Sequence, residues 1–538
     1  MSASLFRGTI SPSACSADTF SYPIIPGVRF LSLEANFVEN LTSNVFYYPN
    51  HGPLNVTSAR FCNVSTTYTH PGGNDSINVQ VWLPTDTWNG RLQGIGGGGW
   101  SAGLPYQATL GMTAAVGEGY ATFGTDAGLD TPDNGVTPER WAWGAGGEPN
   151  MRLLENLASA SLYEGAVVAK NFTAAFYAEP AKYSYFSGCS QGGRQGMALA
   201  QRYPDLFDGI AAAAPAINWN SLFVGGTYAN FLMNLYGMYP PSCEVEALTA
   251  AAIEACDGLD GVVDGILSDP GACDFDPVNL VGTTIKCAAG PQANGSGNGS
   301  TTERKISLGA ATIVQKTWDG PRRANNSRMW YGPGQEATLV GGIYPNVGGS
   351  LAPIGTNCSA NSTCTLDPLV LFQEWIRFYV LKNPTADTSK LSLEEFEEIF
   401  DSSAREYRSM IDTSNPDLSA FRQAGGKLIT YHGTADELIP FRGSVDYYQR
   451  VTKLDPNVHD FYRLFLAPGL YHCIGGPGPY PDTTFDSLVQ WVENGVAPDS
   501  LLATSVGTDP IIQRPLCPYP QKQKFLKTLN GTENFICE

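Results

Sequence analysis

The chain is poor in positive charge and in histidine: 32 Lys and Arg stand against 51 Asp and Glu, with five His, for a formal charge of -19. A polyanionic partner would be repelled, which argues against nucleic acid and anionic membranes. No apolar run approaches the ~20 residues needed to span a bilayer, so a soluble protein is expected. None of the 12 cysteines forms a Cys-x-x-Cys pair, so the usual close spacing of a thiolate zinc site is missing. A GxxxxGK[ST] phosphate loop is also absent. The 59 Gly and 37 Pro show no triplet period, which excludes collagen. No internal repeat is visible. The opening residues 1–7 lack the apolar segment of a secretion signal, and the expectation is a mature start with its leader removed.

What is present is a long chain, 538 residues and 43% hydrophobic, enough to bury more than one core's worth of apolar side chains. An even cysteine count without metal spacing implies paired disulfides in an oxidising compartment. Eleven N-x-Ser/Thr sequons, at Asn40, Asn55, Asn63, Asn74, Asn171, Asn294, Asn298, Asn325, Asn357, Asn361 and Asn530, fit a secreted, extracellular glycoprotein carrying N-glycans. Residues 1–216 and 401–538 show an α/β rhythm, with strand-like runs at Ile77–Leu83, Tyr183–Gly188, Gly209–Ala216, Lys427–Tyr431 and Phe461–Leu466. Residues 217–400 change character, with six cysteines, the Gly/Asn/Ser tract 294–300 and few strand patterns. They are expected to form an inserted domain.

Gly188-x-Ser190-x-Gly192 fits a nucleophile elbow, where small residues either side let the chain turn sharply from strand to helix and expose the serine. The pattern is common by chance, but a strand before it and a helix after it make it specific here. The serine needs a base, and His51 and His70 come too early for the chain order serine, acid, histidine. His472 follows a strand-like run, in Pro468-Gly-Leu-Tyr-His-Cys473. His432 is either a packing residue or the base itself, and His459 reads as solvent-facing. The acid is expected after the preceding strand, to hold the imidazole tautomer. Asp436 is there, with Glu437 as a neighbour that competes for the role. An oxyanion hole is expected from the Gln191 N–H and from Gly97 and Gly98 in the run Gly96 to Gly99. Cys189 precedes the serine and Cys473 follows the histidine. A disulfide between them would set their Cα atoms about 4.4–6.8 Å apart and bring Ser190 and His472 together.

This pairing resembles the Cys-Ser, Asp, His-Cys arrangement of the fungal tannase and feruloyl esterase family, which also includes bacterial aromatic-ester hydrolases. The resemblance spans nearly the whole chain. It shows in Gly96-Gly-Gly-Gly-Trp100, Gly188-Cys-Ser-Gln-Gly-Gly-Arg-Gln-Gly-Met197, Tyr431-His-Gly-Thr-Ala-Asp436, Tyr471-His-Cys473 and Trp491-Val-Glu-Asn-Gly-Val-Ala-Pro498. It implies an α/β-hydrolase core with a large lid insertion, and a structural calcium in that lid. Three carboxylates interleaved with glycines, in Cys256-Asp-Gly-Leu-Asp-Gly-Val-Val-Asp-Gly-Ile266, suit a hard cation, although the glutamate of an EF-hand is missing. Position by position, the resemblance makes Asp257, Asp260 and Asp264 side-chain ligands, with Val262 and Ile266 as carbonyl ligands. It also implies the bridges Cys15–Cys62, Cys256–Cys273, Cys358–Cys364 and Cys517–Cys537, leaving Cys243 and Cys287 for each other.

The resulting expectation is a secreted serine esterase acting on hydroxycinnamoyl esters (feruloyl, p-coumaroyl, caffeoyl or chlorogenate), on small molecules or on plant cell-wall polymers. Galloyl esters, the substrates of tannases, are the alternative. Asp274-Phe-Asp-Pro277 looks more like the feruloyl branch, whereas Lys286-Cys-Ala-Ala-Gly290 is similar to tannases. Different in class are a polyphenol or cell-wall binding protein without chemistry, and a peptidase on the same fold. Phe223, Tyr228, Trp330 and Tyr331 are candidates to clamp an aromatic ring, although each also reads as an ordinary core residue.

Overall fold

The computed structural model describes every residue except 1–9, 133–134, 289–300, 342–350, 360–362, 509 and 530–531. The sequons at Asn294, Asn298, Asn361 and Asn530 and the tract 294–300 lie outside the described residues. Nine strands build the main sheet: β1 (Arg29–Val45), β2 (Leu54–Thr69), β3 (Ile77–Pro84), β4 (Arg91–Ile95), β5 (Ala121–Thr125), β6 (Tyr183–Cys189), β7 (Gly209–Ala213), β8 (Lys427–Gly433) and β9 (Tyr462–Ala467). Their order is β1-β2-β3-β5-β4-β6-β7-β8-β9. The three leading strands pair antiparallel, and β5 through β9 run parallel to one another.

Parallel neighbours need crossovers, and helices supply them: α1 (Gln107–Gly117) after β4, α2 (Ser161–Tyr177) after β5 and α3 (Gln191–Arg202) after β6. The inner strands are buried on both faces, so β5, β6 and β7 read as near-continuous small and apolar runs rather than as alternation. Because the strands are parallel, the loops after β4, β6, β8 and β9 all emerge at one edge of the sheet. That edge is where open α/β sheets place ligands.

The chain leaves the sheet at Ala213 and returns at Lys427; the residues between contribute none of its strands. Their own core gathers Trp219, Phe223, Phe231, Trp375, Tyr379, Phe396 and Tyr407. The boundary expected at residue 400 falls inside one continuous helix, α4 (Leu393–Ile411). A capping box starts it, with the Ser392 hydroxyl accepting from Glu395 N–H and the Glu395 carboxylate accepting from Ser392 N–H. Its buried stripe, Phe396, Ile399, Phe400, Ser403, Tyr407 and Ile411, follows helical spacing and faces the insertion. The inserted segment therefore runs to the end of α4.

Several residues of the sheet domain share the insertion's core, among them Trp100, Trp141, Leu154 and Leu157. Trp100 is fully buried, meets Trp219 at 5.2 Å and Phe223 at 5.3 Å edge-on, and donates its indole N–H to Leu371 O at 2.9 Å. Burying an indole is worth on the order of 5 kcal/mol, large enough to anchor the insertion over the sheet edge. All 12 cysteines are paired: 15–62, 189–473, 243–287, 256–273, 358–364 and 517–537. No helix among the described residues is long and apolar enough to cross a membrane.

Candidate active site

Ser190 stands between β6 and α3 with φ 65° and ψ -121°, a left-handed conformation that costs a non-glycine residue on the order of 1–3 kcal/mol. The turn closes only because its flanks lack side chains. A Cβ on Gly188 would lie 2.5 Å from the Gly192 backbone, and one on Gly192 would lie 2.8 Å from Gly97 O. Backbone bonds hold the strained residue: Ser190 N–H donates to Ala213 O at 3.1 Å, and Ser190 O accepts from Arg194 N–H at 2.9 Å and Ala216 N–H at 3.2 Å.

Asp436 follows β8 and is buried. Its Oδ1 accepts from Leu438 N–H (3.0 Å) and Ile439 N–H (2.7 Å), which leaves Oδ2 for His472 Nδ1 at 2.9 Å. His472 belongs to the loop after β9, and Cys473 beside it bridges to Cys189 with a Cα separation of 6.0 Å across 284 positions. Tyr431 O–H donates to Cys473 O at 2.8 Å and fixes the same loop from β8. Ser190 and His472 line one narrow cavity, together with Gly99, Gln191, Trp219, Phe223 and Phe372.

The structure also places the two neighbours of this pair, His432 and Glu437. His432 is fully buried, within 3.2 Å of Asp436 Oδ2 and bonded to Ser444 Oγ and Ile439 O, and it does not line the cavity. It supports the carboxylate. Glu437 does not displace Asp436 on the imidazole; its Oε2 accepts the His472 backbone N–H at 3.1 Å instead. Neighbouring carboxylates thus hold the ring and the backbone of one histidine. Burial alone would raise the Asp436 carboxyl, but the His472 charge and the His432 hydrogen bond hold it well below the usual range. Burial pulls the His472 imidazole down, and the Asp436 charge and hydrogen bond outweigh that and raise it. Burial, reinforced by Asp436, pushes Glu437 up.

The glycine run is placed differently from the expectation. Gly97 N–H is already donated to Gln195 Oε1 at 2.8 Å, and neither Gly97 nor Gly98 lines the cavity. Gly99, at φ 55°, does. The turn after β4 points one residue later in the run toward Ser190, a choice that four consecutive glycines leave undetermined. Gln191, at the first turn of α3, lines the cavity as expected. The remaining histidines are elsewhere. His51 packs between Tyr48 and Gln93, His70 bridges Asp75 and Glu164, and His459 is half-buried against Tyr448 rather than solvent-facing.

Two buried groups were not legible from sequence. Arg194, fully buried, spends its guanidinium on Gln191 Oε1 (2.5 Å) and on the carbonyls of Leu157, Ala158 and Ile411. It ties α3 to the end of α4. Glu336, in the insertion, accepts from Thr434 Oγ1 (2.5 Å) and Gly469 N–H (3.3 Å) on the loops after β8 and β9 and from Leu267 N–H (3.0 Å). Burial pushes its carboxyl up to about 7. Glu336 lies in no motif, and Arg194, although inside the Gly188–Met197 segment, takes its carbonyl partners from residues far away in sequence.

Leu267 ends the acidic loop 257–266. That loop is closed on itself: Asp257 accepts from Asp264 N–H (3.1 Å) and Gly265 N–H (2.9 Å), Asp260 from Val262 N–H (3.0 Å) and Asp264 from Ile266 N–H (3.0 Å). Arg514 pairs with the second Asp264 oxygen. Among the described residues no three His, Cys, Asp or Glu side chains converge as a metal cluster. The donor set itself is all oxygen and acidic, and Asp260 Oδ2 is buried without a hydrogen-bond partner, which is the chemistry a hard cation meets.

Comparison with known proteins agrees with this architecture. The family model described as "Tannase and feruloyl esterase" matches residues 62–537. A probable feruloyl esterase of Arthroderma benhamiae is 39% identical over 525 residues, covering 96% of this chain and 92% of that protein. A tannase of Aspergillus oryzae is 30% identical over 533 residues, covering 92% and 88%. The solved structure of the tannin acyl hydrolase from Aspergillus niger superposes with a TM-score of 0.83 at 27% identity, covering 100% of this chain and 96% of that one.

The bridge beside Ser190 and His472 generates a direct expectation. A paired Cys189→Ala, Cys473→Ala substitution should lower kcat for ester hydrolysis at least tenfold while lowering KM little, because it loosens the two loops without changing the cavity wall. Steady-state kinetics on one ester checks this; an unchanged kcat would show that the sheet alone aligns the loops.

Proposed function

The chain belongs to the tannase and feruloyl esterase family of carboxylic ester hydrolases, with an α/β-hydrolase fold, and from that premise we propose a secreted serine esterase selective for hydroxycinnamoyl esters. The supporting observation is the cavity wall. Beside Ser190 and His472 it is formed by Trp219, Leu222, Phe223, Leu371, Phe372, Leu438 and Ile439, with Gln191 as its amide and no Asp or Glu among its residues. A cinnamoyl ring suits that wall. A galloyl ring would bury three hydroxyls there with too few partners.

In this reading Ser190 Oγ attacks the acyl carbon and His472 Nε2 takes its proton, while Asp436 stabilises the imidazolium through Nδ1. The Gln191 and Gly99 N–H groups receive the oxyanion. As the tetrahedral adduct collapses, the C–O bond to the alcohol breaks and His472 returns the proton to the leaving oxygen. Water, deprotonated by the same imidazole, then hydrolyses the acyl-serine. The insertion acts as the lid over this chemistry. Exposed sequons at Asn40, Asn55, Asn74, Asn325 and Asn357 support a glycosylated, extracellular protein. The acidic loop is proposed to hold a structural calcium through Asp257, Asp260 and Asp264 and the carbonyls of Val262 and Ile266. Bound there, it would stiffen the segment that Leu267 and Glu336 join to the acid and base loops.

Initial rates on methyl ferulate, methyl p-coumarate, methyl gallate and a short nitrophenyl ester test the assignment. The cinnamates should be hydrolysed fastest, and Ser190→Ala should lose turnover on all of them while keeping its melting temperature within a few degrees. A preference for gallate would make the protein a tannase, and no hydrolysis of any ester would favour a binding protein. Calcium chelation should lower the melting temperature, recoverable on adding calcium back, because a ligand of the folded state stabilises it by mass action. An identical melting curve in chelator would remove the calcium proposal.

A further inference from the structure

A separate cavity, with about 360 Å³ of room for solvent, lies where the insertion, α5 (Phe441–Leu454) and residues 517–523 meet. That is within the range of small-molecule sites, roughly 300–1,000 Å³. Neither Ser190 nor His472 lines it, although Tyr331 belongs both to its wall and to a narrow cavity that adjoins the one at Ser190. The wall is mostly apolar and carries three rings, Tyr331, Phe441 and Tyr519. Its charged groups are not evenly matched. Asp269 is paired with Lys522 at 2.6 Å, and Asp446 with Arg450 at 2.9 Å. Arg442, by contrast, has no side-chain hydrogen-bond or ion-pair partner among the described residues, and its Cζ lies 4.9 Å from the Phe441 ring. The residue is half-buried, yet its nitrogens remain accessible to solvent.

A partly desolvated guanidinium is ordinarily forked onto a carboxylate or another acceptor. Here its surroundings add positive charge instead. Burial and the charge of Arg328 together pull the Arg442 guanidinium down, and Arg328, itself exposed, stands 5.3 Å from the Tyr331 ring with no ion pair among the described residues. Arg442 also occupies the first turn of α5, where the helix dipole disfavours a cation. Two arginines thus converge on one apolar, ring-lined cavity in a chain of formal charge -19, while the two carboxylates of that wall are committed to other cations. We infer that this cavity is a second, non-catalytic binding site for an aromatic carboxylate, whose anionic group meets Arg442 and whose ring lies against Tyr331, Phe441 and Tyr519. Carboxylic ester hydrolysis releases a molecule of that charge, whereas the uncharged ester lacks the group that Arg442 recognises. The identity of the guest as the released acid rests on the aromatic-ester reading above; the site itself does not.

The test is calorimetric titration of ferulate into the full chain after an aryl phosphonate has occupied Ser190, which removes the catalytic cavity from the measurement. One equivalent of ferulate should bind the blocked protein. Arg442→Gln should weaken that binding at least tenfold with its melting temperature within a few degrees of wild type, and Arg442→Lys, which keeps the charge and loses the fork, should fall between them. Methyl ferulate, which keeps the ring without the charge, should bind the blocked wild type at least tenfold more weakly than ferulate, and so should glucuronate, which keeps the charge without an aromatic ring. No binding of ferulate, equal binding by Arg442→Gln, or equal binding of methyl ferulate would overturn the inference. Tighter binding of glucuronate than of ferulate would also overturn it and make the site one for acidic sugars. Failure of the phosphonate to label counts against the serine-esterase reading alone, and the titration is then read on the unlabelled chain.

Discussion

The contact on which the site depends is the buried pair of His472 and Asp436. A carboxylate sealed from water is costly unless every lone pair is used, and Asp436 meets that condition with two backbone N–H groups on Oδ1 and two imidazoles around Oδ2. Removing one partner would leave a charge uncompensated in the interior, so the loops after β8 and β9 are bound to adopt one geometry. The Cys189–Cys473 bridge then transmits that geometry to the elbow, because it fixes the residue before Ser190 to the residue after His472.

The insertion is coupled to the same loops. Trp100 carries it from below, Arg194 ties α3 to the end of α4, and Glu336 joins it to the loops after β8 and β9. The acidic loop feeds into this network at Leu267, and Ile266 packs beside Gly469, where a Cβ on that glycine would come within 3.2 Å of it. A loop that is remote from Ser190 in sequence is therefore next to the segment that carries His472.

What the sequence made legible is what local geometry dictates. Gly188 and Gly192 are required by the closeness of the elbow, Asp436 and His472 by their places after strands, and the 189–473 bridge by adjacency on both sides. The rest depends on where backbone groups point or on partners hundreds of residues away. Gly97 reads the same as Gly99 until Gln195 is seen to occupy its N–H. Glu437 reads as a rival of Asp436 until it is seen on the backbone of the same histidine. The insertion's boundary moved because the helical stripe of α4 continues past residue 400 into the aromatic core. Among the aromatic candidates, Phe223 lines the cavity at Ser190, whereas Tyr228, Trp330 and Tyr331 line its neighbour.

The central claim is that Ser190 is activated by His472 because Asp436 holds that imidazole. It is tested most directly by labelling with an aryl phosphonate and locating the adduct by peptide mass spectrometry, in wild type and in Asp436→Asn. The account predicts one equivalent of label on Ser190 in wild type and a labelling rate reduced roughly 10³–10⁴-fold in the variant. Label on another residue, or equal rates in the two proteins, would contradict it.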